Sequence, residues 1–283
     1  MTDDYRRMPV PDAIRWLIEH GHPADPRDDI DTASLVRRFP RLGSVEIADV
    51  DFAVPLRTYR DPSVPYAGRG LVWVHGGAFL GGSLDMPESH WVALELAARG
   101  IPVLAVDYTK CLGVHYPVPS DEVLAAWDAA PALLGLDPAE LALGGASAGS
   151  TLVSGAVVRG AAPAELVLVY PFLHPDGPGA SADVDLGSPH GQLALNYAGS
   201  SEALLDPAVF AGLADPSLFP PTLVVVCEDD ALRPSGEAFA AAVGADLHLE
   251  PGARHGHIDN PGDDGALRTI AAIADWLGGR PSR

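Results

Sequence analysis

From residue 70 onward the chain repeats one pattern: a short apolar run, a turn, then a stretch with helical periodicity. The runs fall at 71–75, 102–107, 141–145, 166–170, 222–227 and 246–250. Most are nearly continuous in apolar residues, as strands buried on both faces of a parallel sheet must be. Helical stretches lie near 87–99, 121–134, 148–160, 235–243 and 264–277. The last places Leu267, Ile270, Ala274 and Leu277 on one face, with Asp263 and Asp264 at its positive end. This alternation predicts a doubly wound α/β sheet. Upstream, 45–53 and 56–59 read as an antiparallel pair at one edge, bringing the sheet to about eight strands.

Two segments break the alternation. Residues 1–42 contain a short amphipathic helix near 12–20, with Ile14, Leu17 and Ile18 together and Gly21 as its stop. Residues 173–220 are rich in Pro, Gly, Asp and Ser, and a long irregular excursion inside a domain is usually functional. Both are expected to form a helical cap over the carboxyl ends of the strands, where open α/β sheets bind ligands. The division is therefore 1–42 N-terminal cap segment, 43–172 first part of the core, 173–220 cap insertion and 221–283 second part of the core.

The formal net charge is −20, and no cluster of Lys or Arg offsets it, so nucleic acid and anionic membranes are disfavoured as partners. The first residues lack the apolar stretch of a signal peptide, and no uncharged apolar run reaches the length of a membrane span. Cys111 and Cys227 are far apart and form no CxxC pair. A reducing cytoplasm is the expected location.

The strongest chemical signal is Gly145-Ala146-Ser147-Ala148-Gly149, between an apolar run and a helical stretch. That is the context of a nucleophile elbow, in which Ser147 occupies a strained turn and the following helix aims its positive end at the site. A second glycine-rich turn, His75-Gly76-Gly77-Ala78-Phe79, follows another strand. Amides at Gly76 or Gly77, with Ala78 and Ala148, would form an oxyanion hole. His75 is expected to brace this turn and, with Phe79, Ala146 and His257, to line the substrate site. A serine nucleophile needs a base and an acid to orient it. Glu228-Asp229-Asp230 follows one strand and His255-Gly256-His257 the next; the order Ser147, Asp230, His255 satisfies topology and chemistry. His20, His22, His90 and His190 read as surface residues of helices or cap.

With these motifs the chain resembles the hormone-sensitive lipase-like group of bacterial esterases within the α/β-hydrolase fold. The resemblance spans residues 70–277 and rests on 75–79, 145–149, Asp107-Tyr108 with Tyr116-Pro117 and Asp121, 220–225 with 230–233, and His255-Gly256. It implies that Asp230 rather than Asp229 or Glu228 is the acid, and His255 rather than His257 the base. It also implies short or medium acyl chains. The chain departs from the pattern at Ala78 for a third glycine, Ala146 for an acid, Ser150 for a glycine, Pro234 for an acid and His257 for a phenylalanine. The 109–113 loop also matches poorly.

The expected reaction is hydrolysis of a small-molecule ester through an acyl-enzyme, with no metal or organic cofactor. A histidine base works only when neutral, so activity is expected to fall below about pH 6–7. Three other readings keep the fold: an amide hydrolase or deacetylase, a lyase or dehydratase, and a binding protein on a retired scaffold. A metal site joining His20-Gly21-His22 to His255-Gly256-His257 lacks any supporting carboxylate or cysteine spacing. Pairing of two copies through an edge strand or the cap is left open.

Overall fold

The strands form one twisted sheet because their residues alternate between two apolar layers. In the computed structural model, which describes residues 7–23, 30–176 and 184–279, the sheet has eight strands. They are β1 (Glu46–Val50), β2 (Leu56–Arg60), β3 (Gly70–Val74), β4 (Val103–Val106), β5 (Leu141–Ala146), β6 (Glu165–Val169), β7 (Thr222–Asp229) and β8 (Asp246–Arg254). The helices are α1 (Val10–His20), α2 (Thr32–Arg38), α3 (Pro87–Ala97), α4 (Val118–Leu134), α5 (Ala148–Val158), α6 (Pro189–Ala198), α7 (Arg233–Val243) and α8 (Asp264–Gly278). The strand order is β1-β2-β4-β3-β5-β6-β7-β8. The pairs β1–β2 and β2–β4 are antiparallel and the rest parallel, so the expected antiparallel pair does sit at one edge.

Side chains on one strand point alternately to opposite layers. Val72 and Val74 of β3 join α4, α5 and α7 in one core; Leu71 and Trp73 join α3 and α8 in the other. Helix α3 is buried along its whole length, its polar residues Glu88, Ser89, His90 and Glu95 included. Helix α8 is amphipathic, and Asp263 caps it by accepting from Ala266 N–H at 3.0 Å.

The two segments outside the alternation divide their roles. Helix α1 lies against α6 on the carboxyl side of the strands. The later part of the N-terminal segment instead joins the core: Leu35 of α2, Phe39 and Leu42 pack with α3 and α8. Within 173–220, Leu173, Leu204, Val209 and Phe210 belong to the α4–α5 core with Ala194, Tyr197 and Ala198 of α6, and Leu193 of α6 faces the cleft. Residues 1–6, 24–29, 177–183 and 280–283 of the expected segments lie outside the described residues. Among the described residues, no helix is long and apolar enough to cross a membrane.

Candidate active site

Ser147 lies between β5 and α5 with φ +50° and ψ −119°, a backbone state that a side-chain-bearing residue rarely adopts. The turn is possible only because both flanking glycines admit backbone where a side chain would go. A Cβ on Gly145 would stand 2.6 Å from the Gly149 carbonyl carbon, and one on Gly149 would strike the end of β3. The strain holds the hydroxyl at the mouth of a cleft, where Ser147 Oγ–H donates to His255 Nε2 at 2.8 Å. His255 Nδ1–H donates to Asp230 Oδ2, also at 2.8 Å. The three groups converge from the turns after β5, β8 and β7.

Of the three consecutive acids, only Asp230 turns its carboxylate to His255; Glu228 accepts from Gly252 N–H instead. The Asp230 side chain is nearly buried, and burial alone would raise its pKa. The His255 hydrogen bond and charge, with the Leu232 amide, outweigh burial and hold the carboxyl below the usual range.

The glycine-rich turn after β3 carries three consecutive positive φ values, +98° at Gly77, +55° at Ala78 and +62° at Phe79. Gly77 must be glycine, since a Cβ there would run into the Gly81 carbonyl. The Gly76 amide, expected as an oxyanion donor, is already taken: it donates to Glu88 Oε1 at 2.5 Å. Gly77 and Ala78 line the cleft beside Ser147, and Ala148 begins α5, so their amides are the remaining candidates for that role. The methyl group at Ala78 is carried in the left-handed conformation without closing the cleft.

Four residues expected at the substrate site lie elsewhere. His75 is fully buried, stacked on Tyr108 with ring centroids 4.9 Å apart, and donates through Nδ1–H to the Gly76 carbonyl at 2.9 Å. Its Nε2 faces Asp107 and Lys110. Burial, then the Lys110 charge, pushes His75 down, so it stays neutral and braces the turn as anticipated, without touching the cleft. Phe79 is fully buried against Tyr197 and Phe172. Ala146 points into the α3–α8 core. His257 is buried behind His255, with Nε2 to Thr269 Oγ1 at 2.7 Å and Nδ1 beside Cys227 Sγ at 3.3 Å. Its pKa is lowered, mainly by burial. Among the other histidines, His90 is not a surface residue: it is buried between Tyr59 and Thr32. His22 lines the cleft and bonds the Leu80 carbonyl.

The cleft is a cavity of about 510 Å³ opening on Ser147 and His255. Its apolar wall comes from Val10, Ala13 and Leu17 of α1, Leu193 of α6, and Leu80 and Met86. Two residues that the sequence reading passed over, Glu88 and Asp259, supply acidic wall. Among the described residues, no three His, Cys, Asp or Glu side chains gather to hold a metal ion.

A strand-to-helix serine turn joined in one hydrogen-bonded line to a histidine and an acid invites comparison with known proteins. A family described as the alpha/beta hydrolase fold matches residues 71–258. The chain belongs to that family. An ethyl acetate hydrolase of Pseudomonas putida is 30% identical over 258 residues, 79% of each chain. Carboxylesterase NlhH of Mycobacterium tuberculosis is 30% identical over 229 residues, 73% of this chain and 72% of that one. Among solved structures, carboxyl esterase 2 of Tuber melanosporum superposes with a TM-score of 0.73 at 24% identity, covering 95% and 96% of the two chains. A hormone-sensitive lipase from a metagenome library gives 0.71 at 22% identity over 96% and 98%. The α/β-hydrolase fold expected from the motifs is thus matched over 95% of the chain.

Proposed function

We propose that this α/β-hydrolase is a serine carboxylesterase acting on small, largely apolar acyl esters through an acyl-enzyme. The observation that carries the reading is the unbroken line Ser147 Oγ, His255 Nε2 and Nδ1, Asp230 Oδ2, with 2.8 Å at both links, ending in the cleft. Relatives named as an ethyl acetate hydrolase and a carboxylesterase support the bond class.

Ser147 Oγ attacks the ester carbonyl carbon while its proton passes to His255 Nε2, and Asp230 holds the imidazole in the tautomer with Nδ1 protonated. The carbonyl oxygen gains the negative charge, which the amides of Gly77, Ala78 and Ala148 stabilise, each worth about 3 kcal/mol. His255 returns the proton to the departing alkoxide, releasing the alcohol. Water, deprotonated by His255, then attacks the acyl-serine and restores the hydroxyl. Helices α1 and α6 act as the cap, and Ala13, Leu17 and Leu193 set the acyl-chain limit. Two buried free thiols fit a reducing compartment such as the cytoplasm.

The test is hydrolysis of p-nitrophenyl acetate, butyrate and octanoate by wild type and Ser147→Ala, the variant checked for native circular dichroism. Turnover favouring short chains and falling by at least ~10⁴-fold in the variant is expected. Absence of turnover on every ester by folded wild type would overturn the reading in favour of amide hydrolysis or proton-transfer chemistry.

A further inference from the structure

Helix α3 contains two buried carboxylates with opposite surroundings. Glu95 is matched by Arg41 and Arg99, with Trp91 Nε1–H as a third donor. Glu88 is joined to no cation among the described residues, although it is 3% exposed. Burying an ionised carboxylate without a counter-ion is costly unless donors satisfy its lone pairs. Its donors come from separate parts of the site. Oε1 accepts from Gly76 N–H at 2.5 Å and Oε2 from the Tyr170 hydroxyl.

These bonds connect pieces that must stay in register for acyl transfer. Gly76 immediately precedes the oxyanion donors, and its carbonyl is held from the other side by the Tyr108 hydroxyl at 2.7 Å and by His75. Both ends of that residue are thus pinned, which leaves Gly77 and Ala78 little freedom to turn. Tyr170 packs its ring 4.8 Å from the His255 ring. The Glu88 backbone N–H also donates to Asp259 Oδ1 at 3.0 Å, four residues beyond His255. The point where a Gly76 Cβ would lie is 2.6 Å from Glu88 Oε1 and 3.0 Å from Ser147 Cβ, so the carboxylate stands about one methyl group from the nucleophile.

We propose that Glu88 is a positioning residue for the reaction assigned above: it registers the oxyanion turn against the Tyr170–His255 side of the site. It touches no reacting atom. It acts by fixing amides and an imidazole before charge develops, which is the form of preorganisation that affects the transition state more than substrate binding.

The inference rests on the serine-hydrolase reading, so its readout should not depend on ester turnover. A fluorophosphonate provides that readout. Ser147 Oγ forms a bond to phosphorus, the P–F bond breaks with fluoride leaving, His255 takes the serine proton, and the phosphoryl oxygen uses the oxyanion hole. Glu88→Ala should lower the labelling rate roughly 10- to 100-fold, and lower kcat on esters by a similar factor with KM within about threefold. Glu88→Gln keeps an acceptor for Gly76 N–H and a donor for the Tyr170 oxygen, and should restore both rates to within about threefold of wild type. A trifluoromethyl ketone, which forms a tetrahedral adduct, should lose affinity in step with kcat/KM in the alanine variant.

Labelling of Glu88→Ala at the wild-type rate, or a loss confined to KM, would overturn the proposal. So would a glutamine variant as slow as the alanine one. Should Glu88→Ala not fold, Tyr170→Phe removes one of the two bonds alone; a slowed labelling rate at unchanged KM supports the proposal and an unchanged rate overturns it. Wild type that is labelled but turns over no ester defeats the esterase reading and leaves Glu88 to be judged by labelling. Wild type that resists labelling defeats both.

Discussion

Truncating Phe79 to alanine separates a ring that holds the oxyanion turn from a ring that meets substrate. The ring is fully buried, stacked on Tyr197 at 4.3 Å and 2°, and tilted against Phe172 at 6.3 Å. Its carbonyl accepts from Cys111 N–H at 2.7 Å, tying the turn to the loop after β4. Removing a fully buried phenyl ring costs about 3–5 kcal/mol, of which the aromatic stack supplies ~0.5–1.5 kcal/mol. Urea unfolding followed by tryptophan fluorescence should therefore show Phe79→Ala destabilised by about 4 kcal/mol with an unchanged m-value. With the turn loosened, kcat should fall by a similar factor on acetate, butyrate and octanoate esters, and the ratio of their KM values should stay as in wild type. The reasoning fails if the variant is within ~1 kcal/mol of wild-type stability and its KM changes with chain length. That result would place the ring in the acyl cleft.

Asp230→Asn should lower kcat by on the order of 10⁴-fold with little change in KM, because the amide favours the wrong imidazole tautomer; a loss under about tenfold would remove Asp230 from the relay. His90 is pushed down to about 4, by burial first and then by the Arg57 charge. Its folded pKa lies below the unfolded value of 6.5, so the unfolded chain binds the proton more readily and stability falls as pH drops from 6.5 toward 4. Urea midpoints at pH 7 and 4.5 should show this loss reduced by about 2 kcal/mol in His90→Gln, and identical pH dependence in the two proteins would refute it. Burial pushes both Cys111 and Cys227 up to about 12, so Ellman's reagent at pH 8 should find neither thiol until urea is added. Rapid reaction of a native thiol would contradict their burial.

The central sheet was legible because burial on both faces leaves a continuous apolar run. The expected bounds of β3 to β6 differ from the observed ones by one residue or so at each end. Strand β7 runs past its apolar stretch to Asp229 because its last two residues are exposed and need not be apolar, while β8, at the sheet edge, is exposed along most of its length and continues to Arg254 without an apolar run to mark its end. Helix α2 escaped notice: it has seven residues and only Leu35 fully buried, too little to establish a period, although Asp31 caps it through Ala33 and Ser34 N–H. Helix α6 was obscured by its Gly- and Pro-rich setting. Its signals were nevertheless present, with Ser188 accepting from Gly191 N–H, Pro189 in the first turn and left-handed Gly199 at the end.

The site divides along a different line. The convergence of Ser147, Asp230 and His255 was legible because each follows a strand, and parallel topology brings the carboxyl ends of neighbouring strands together. Their sequence neighbours were misread for a related reason. A residue adjacent to one that faces a cleft at a strand end points the opposite way, so Ala146 enters the α3–α8 core beside Ser147. Phe79 and His257 likewise turn into packing, each just past a residue that lines the cleft. Adjacency in sequence is thus evidence for a shared turn, and a shared surface does not follow from it. Glu88 is the converse case. It lies 12 residues from Gly76 and 82 from Tyr170, and it reaches both only because α3 crosses beneath the turn after β3. The one local hint was a carboxylate at the start of a helix that is buried along its whole length, which demands a partner that a single sequence cannot name.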